Sequence, residues 1–271
     1  MPELPEVETV RRGLEPLVQG RRVVRVDVYQ PQLRQPVPAD LDLRLKNQKV
    51  TRLWRRGKYL LIAIGSETLL LHLGMSGRLR VLDENTARGL HDHIDIHLEG
   101  GRTLRFHDPR RFGLVLLCER GSMDHPLLSK IGPEPLETPF NGDYLHRLSR
   151  GRKAAIKNFL MDSHVVAGVG NIYASEALFV AGIRPSRAAG RISRIRYANL
   201  AWAVRTTLEK AIAAGGTTLR DFIGVDGEAG YFKQQLFVYG RAGESCLRCG
   251  SKLKQQRIGQ RSSFYCGRCQ R

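Results

Sequence analysis

Four cysteines in the last 26 residues constrain the carboxy-terminal end of this chain more than any other feature: Cys246-x2-Cys249 and Cys266-x2-Cys269, sixteen residues apart. Two close thiolate pairs at this spacing supply the four ligands of a tetrahedral Zn²⁺. The β-like runs between them, Lys252 to Ile258 and Ser262 to Tyr265, form the arms of a hairpin that such an ion ties together. With every position filled by protein no ligand water is left, so one structural zinc is expected, without a chemical role. Thiols used this way point to a reducing compartment. The amino end, Met-Pro-Glu-Leu-Pro-Glu-Val-Glu, lacks the positive and then apolar stretches of an export signal, so a cytoplasmic location is expected. The fifth cysteine, Cys118 in Leu114-Val-Leu-Leu-Cys118, reads as a buried strand thiol.

Upstream of this module the chain changes character once. After an amino-terminal helix with Val7, Val10, Leu14 and Val18 on its inward face, residues 22–118 form short β-rich runs: Val23 to Tyr29, Lys58 to Ile64, Thr68 to Leu73, Arg78 to Leu82, His93 to Leu98, Thr103 to His107 and Gly113 to Cys118. Gly-Ser-Glu, Gly-Met-Ser-Gly and Gly-Gly punctuate them, which predicts a β-sandwich or barrel of hairpins. Pro126, Pro133, Pro135 and Pro139 then mark a boundary, beyond which helical periodicity covers Tyr144 to Ser149, Ala154 to Met161, Asn171 to Ala181 and Tyr197 to Ala214. In His-Asp-His-Ile-Asp-Ile-His, His91 and His93 could be metal ligands, but strand alternation favours polar side chains turned outward, and no second metal is expected.

The charge balance, 44 Lys and Arg against 26 Asp and Glu, leaves +18 and a pI near 10.3, which calls for a polyanionic partner. Residues 241–271 carry eight basic side chains against Glu244 alone, with Lys252, Lys254, Arg257 and Arg261 between the cysteine pairs. The longest apolar run, Leu60 to Ile64, is far below the ~18 residues of a membrane span. No heptad pattern is present, so a monomer is expected.

Together with Pro2-Glu3-Leu4-Pro5-Glu6-Val7-Glu8, the cysteine module resembles the bacterial formamidopyrimidine-DNA glycosylase family. The resemblance runs along the whole chain: His72-Leu-Gly-Met-Ser-Gly77, His91-Asp-His93, Asp108-Pro-Arg-Arg-Phe-Gly113, Gly132-Pro-Glu-Pro135, Gly168-Val-Gly-Asn-Ile-Tyr-Ala-Ser-Glu176 and Gly215-Gly-Thr-Thr-Leu219. It implies an α+β chain with an amino-terminal helix and β-sandwich at 1–135, a helix-two-turn-helix domain at 136–236 and a zinc-ribbon finger at 237–271. It also implies excision of oxidised purines such as 8-oxoguanine and formamidopyrimidines from double-stranded DNA, followed by β,δ-elimination at the abasic site.

Site residues follow from that resemblance joined to their chemistry. Once Met1 is removed, Pro2 presents a free secondary amine, and an α-amino group of pKa roughly 7.7–8.0 is partly neutral near pH 7, unlike lysine. The adjacent Glu3 is the expected acid/base, with Glu6 on the same helix tuning it. Lys58, in Arg55-Arg-Gly-Lys58, is expected to assist base release and β-elimination, and Arg261 to bind the sugar phosphate and promote δ-elimination. Met75, Arg110 and Phe112 resemble the side chains that fill the gap left by a flipped nucleotide. His91, Arg152, Lys157 and Asn171 are expected DNA contacts, Asn171 at a glycine-rich helix start that attracts phosphate. The stretch Thr217 to Tyr231 resembles a lesion-recognition loop. Two alternatives remain at this point: an endonuclease VIII-like enzyme for oxidised pyrimidines, against which Leu4 and the intact Asp-Pro-Arg-Arg-Phe speak, and a non-catalytic zinc-dependent protein that binds damaged DNA.

Overall fold

The computed structural model describes residues 1–119, 124–215 and 236–271; the lesion-loop stretch Thr217 to Tyr231 lies outside them. Two compact units are present, one formed by residues 1–129 and the other by 130–214 with 236–271.

In the first unit the elements run α1 (Leu4–Val18), β1 (Val23–Val28), α2 (Leu41–Leu45), β2 (Val50–Arg56), β3 (Tyr59–Ile64), β4 (Glu67–His72), β5 (Arg78–Asp83), β6 (Asp92–Leu98), β7 (Arg102–His107) and β8 (Leu114–Glu119). They make two four-stranded antiparallel sheets, ordered β1-β6-β7-β5 and β2-β3-β4-β8. Alternate residues of each sheet, such as Leu60, Ile62, Leu69 and Leu71 from one and Ile94, Ile96, Leu104 and Phe106 from the other, meet in one apolar core. Val7, Val10, Leu14 and Val18 of α1 join it, as their helical spacing requires. Pro16 sits inside α1, which ends two residues later at Val18.

Besides α2, a short helix that no run in the sequence marks, two elements depart from what the sequence implies. β2 is a full strand that the periodicity did not reveal, because Arg52, Arg55 and Arg56 interrupt Val50, Leu53 and Trp54. β6 is buried along its whole length, so His93, Asp95 and His97 do not turn to solvent as alternation implied. Each finds a partner instead. The Arg105 guanidinium donates to both Asp95 oxygens at 2.7 and 2.8 Å, His97 meets Asp27 at 2.9 Å, and His93 Nε2 meets the Asp108 carbonyl at 2.8 Å. Buried polar groups are tolerated when paired in this way.

The second unit contains α3 (Gly142–Ser149), α4 (Ile156–Met161), α5 (Asn171–Val180), α6 (Arg194–Ala213), and the hairpin β9 (Leu253–Ile258) and β10 (Arg261–Cys266). Asn141 Oδ1 caps α3 by accepting the Tyr144 N–H at 2.9 Å, and Ser193 caps α6 in the same manner. Gly142 allows α3 to approach α6 closely, since a Cβ there would lie 2.5 Å from the Ala198 backbone. Phe179, Val238, Leu253, Phe264 and the sulfurs of Cys246 and Cys266 form a small separate core beneath the hairpin.

Candidate active site and DNA interface

In the first unit, Glu3 is the N-cap of α1 and only 3% exposed; its N–H donates to Glu6 Oε2 at 2.8 Å. That bond fixes the backbone next to Pro2, which is itself buried, while Met1 ahead of it is 41% exposed. Glu6 therefore holds the start of the helix, the role expected of the third position of a capping box.

Lys58 occupies the two-residue turn Gly57-Lys58 between β2 and β3, one residue before the strand that the sequence reading assigned it to. Gly57 takes φ +57°, which suits glycine at the first central position of such a turn. The neighbouring His72, known from the sequence only as part of a motif, pairs across the sheet with Tyr59, and their rings lie 5.0 Å apart. Burial, with the positive charges of Arg34 and Lys58, pushes the His72 imidazole down to about 4, and its Nδ1 accepts the Gly74 N–H at 2.9 Å. Buried His72 is thus neutral beneath the charges of Lys58 and Arg34.

Met75 and Phe112 are 37% and 45% exposed, and the Arg110 guanidinium lies 4.9 Å from the Phe112 ring centre. Their two loops are locked together from below. Gly74, at φ +62°, lies so close to Phe112 that a Cβ would sit 2.5 Å from its backbone carbon. Fully buried Asp108 accepts the Gly113 N–H at 2.8 Å, the Ser76 hydroxyl at 3.2 Å and the Arg110 N–H at 3.3 Å. The Asp108 N–H in turn donates to the carbonyl of His91 at 3.0 Å, so His91 is tied to the same loop. Three side chains can thus be offered to DNA on a rigid base.

In the second unit, Asn171 is the first residue of α5, after Gly168 (φ +76°) and Gly170. Its Nδ2 lies 3.4 Å from the Tyr239 hydroxyl. Nothing in the sequence marks Tyr239; the feature that fixes it is the Glu176 carboxylate, which accepts the N–H groups of Phe237, Val238 and Tyr239 at 2.7, 2.9 and 2.9 Å. Burial raises the Glu176 carboxyl although these three bonds oppose it. Arg152 is exposed, as a phosphate contact requires. Lys157 is not. It is fully buried, and its ammonium donates to the Ser262 carbonyl at 2.8 Å and the Ser263 hydroxyl at 2.7 Å. The expected phosphate contact is replaced by a bond from α4 to the hairpin. Arg261 stands exposed at the hairpin turn, directly before these two serines.

The four cysteine sulfurs lie within 4.8 Å of one another, with Cys246 to Cys269 at 4.0 Å and Cys249 to Cys266 at 3.5 Å. A tetrahedral Zn²⁺ with ~2.3 Å bonds sets its sulfurs about 3.8 Å apart, so the residues fit that ion. Their chemistry agrees: donors from Ser251 pull the Cys249 thiol down to about 6, and burial beside the other sulfurs pushes Cys269 up to about 12. A cation is what holds all four as thiolates. Gln270 seats the knuckle, accepting from Cys266 N–H at 2.8 Å and donating to the Ile183 carbonyl at 2.9 Å.

Comparison with known proteins agrees with this arrangement. The family models for the formamidopyrimidine-DNA glycosylase N-terminal domain, its H2TH domain, and the zinc finger found in FPG and IleRS match residues 1–115, 131–223 and 243–271. The chain belongs to the formamidopyrimidine-DNA glycosylase family. Formamidopyrimidine-DNA glycosylases of Stutzerimonas stutzeri (strain A1501) and Thioalkalivibrio sulfidiphilus (strain HL-EbGR7) are each 58% identical over the whole of both chains. Among solved structures, a Lactococcus lactis FPG variant bound to DNA containing Fapy-dG aligns with TM-score 0.93 at 32% identity over 100% of both chains. The MutM (FPG) protein of Thermus thermophilus aligns with TM-score 0.88 at 38% identity, over 99% of this chain and 98% of that one. As a member of the formamidopyrimidine-DNA glycosylase family, the protein is a DNA glycosylase with abasic-site lyase activity and one structural zinc. No helix among the described residues is long and apolar enough to cross a membrane.

Proposed function

We propose that the enzyme removes oxidised purines from duplex DNA through the amine of Pro2, exposed by loss of Met1, and then cuts the strand at the resulting abasic site. The observation that carries this reading is the buried Glu3 side chain directly after Pro2, on a backbone fixed by the bond from the Glu3 N–H to Glu6. The amine lone pair bonds deoxyribose C1′ as the glycosidic bond breaks, and the departing base takes a proton. The proline nitrogen then gives up its own proton. Protonation of the ring oxygen, for which Glu3 is the donor, opens the sugar to an iminium. The iminium withdraws electrons and acidifies C2′; loss of that proton expels the 3′ phosphate, and a further elimination expels the 5′ phosphate. Lys58 assists base release and the first elimination, and the Arg261 fork binds the phosphate for the second.

The oxidised-purine substrate is supported by the Lactococcus lactis complexes, whose DNA contains Fapy-dG or an abasic site. Met75, Arg110 and Phe112 fill the space left by the flipped nucleotide, and His91, Arg152 and Asn171 hold the backbone. The working compartment is the bacterial cytoplasm, which keeps the four zinc-binding thiols reduced.

Borohydride tests the central step, because it reduces the iminium to a stable protein–DNA adduct. A protein that retains one extra residue ahead of Pro2 carries an amide nitrogen with no nucleophilic lone pair. Trapping should vanish while duplex binding persists. A blocked protein still trapped, with the adduct on Lys58, refutes Pro2 as nucleophile and leaves the glycosylase intact.

A further inference from the structure

An ion cluster around a buried carboxylate joins α1, which follows directly on Pro2 and Glu3, to the turn that carries Lys58, and neither the eliminations nor base release uses it. Its centre is Glu8 on α1, whose side chain is 12% exposed. Glu8 accepts from Arg11 at 3.0 and 3.1 Å and from Arg12 at 2.8 Å, both on its own helix. The third cation comes from β2: Arg55 Nε lies 3.4 Å from Glu8 Oε2, and the Arg55 side chain is 9% exposed. Burial alone raises the Glu8 carboxyl, but the bonds from Arg11 and Arg12 and the charge of Arg55 outweigh it, so Glu8 is held below its ordinary range and stays anionic.

The other end of the Arg55 guanidinium reaches forward. Its Nη1 donates to the Gly57 carbonyl at 3.0 Å, the peptide oxygen immediately before Lys58. One planar group therefore makes a charge contact with a carboxylate on α1, through an Nε that forms no hydrogen bond, and hydrogen-bonds the backbone of the turn through Nη1. The Arg56–Tyr59 pair already closes this two-residue turn, and the bond to the Gly57 carbonyl adds a second tie immediately before Lys58. Buried ion pairs give little net stability against apolar residues of the same volume, so the cluster is better explained by the geometry it fixes than by the energy it adds. Its two ends lie at the two places where the reaction needs groups held in mutual register.

We propose that Arg55, set between the Glu8 carboxylate and the Gly57 carbonyl, is a positioning residue that sets where Lys58 stands relative to α1 and the Pro2 that precedes it. The inference rests on the reading of Lys58 as a reacting group, and the experiment separates the two. In single-turnover excision of 8-oxoguanine from a duplex, full-length Arg55→Met should be ~30–100-fold slower, the scale of an ångström misplacement. In a Lys58→Ala background the same substitution should add less than ~3-fold, since both act through one group. Equal losses in both backgrounds overturn the proposal. Arg55→Lys keeps the charge but cannot span both acceptors, so it should not restore the rate; full restoration also overturns it.

Should Lys58→Ala itself excise normally, the reading of Lys58 fails, and position is then decided directly. After reductive ¹³C-methylation, the Lys58 resonance, assigned by its loss in Lys58→Ala, should shift or broaden in Arg55→Met. It should do the same in Glu8→Gln, which keeps the shape of the carboxylate and serves if Arg55→Met does not fold. An unmoved Lys58 resonance in the folded variant overturns the proposal whatever the rates.

Discussion

Replacing Cys249 with serine should dismantle the carboxy-terminal hairpin and weaken DNA binding far more than it disturbs the β-sandwich. The hairpin strands bury Leu253, Ile258, Phe264 and Tyr265, at ~1.5–3 kcal/mol each. A structural zinc contributes ~10–16 kcal/mol, as much as these side chains together or more, and Cys249 is one of its four ligands. With the ion lost, the Lys157 bonds to Ser262 and Ser263 have no folded partner. The hairpin carries Lys252, Lys254, Arg257 and Arg261, all exposed. If two of the four neutralise phosphates, the slope of log K against log salt falls by about 1.8, and affinity at 0.15 M salt falls ~30-fold. Zinc content by atomic absorption, limited proteolysis and binding to an uncleavable abasic-site analogue across a salt series read these outcomes. A variant that lost its zinc but kept the parent salt slope would refute the claim that the hairpin is a DNA-binding element. A sandwich that unfolded along with it would refute the claim of local damage.

Acid should destabilise the first unit through His72. Its imidazole has a folded value of about 4 against an ordinary 6.5, so between these the unfolded chain binds a proton that the folded chain refuses. The contribution is complete above pH 6.5 and lost as pH falls toward 4, about 2 kcal/mol of it between pH 7 and 5. His72→Gln, compared with the parent by urea unfolding at both pH values, should remove that share; an equal pH dependence in the two proteins counts against it. Lys157→Met should lower thermal stability, since the Ser262 carbonyl and Ser263 hydroxyl each lose a charged donor, at ~1–3 kcal/mol per buried group left unsatisfied. Its binding should keep the parent salt slope, whereas removal of a true phosphate contact lowers that slope by about 0.9.

Much of the architecture was legible because it is local. The seven strands read from alternation and punctuation all occur, and the hairpin arms inferred between the cysteine pairs became Leu253–Ile258 and Arg261–Cys266. The helix inferred over residues 197–214 begins three residues earlier, where Ser193 caps it. What stayed hidden depends on partners remote in sequence. Three arginines concealed β2: Arg55 is paired by Glu8 from α1, and Arg52 lies over the Trp54 ring at 5.4 Å. Lys157 reads as a surface cation until a hairpin more than a hundred residues later closes over it.

The buried polar residues of β6 illustrate why such positions carry information about the site. Arg105 holds Asp95 with one edge and, with Nη1 and Nη2, donates to the carbonyls of Ala87 and Thr86 at 3.0 and 3.1 Å. Asp92 accepts the Gly89 N–H at 2.7 Å and meets His107 at 2.8 Å. The loop before β6 is thereby pinned to the sheet at three successive places, just ahead of His91. An apolar β6 would pack as well but would leave Arg105 of β7 without Asp95 and the Gly89 N–H without Asp92. Alternation of polar and apolar residues thus has two physical causes, a solvated face or an anchored loop, and only the long-range pairing tells them apart. In this chain the second cause is the one that brings His91 to the Asp108 loop.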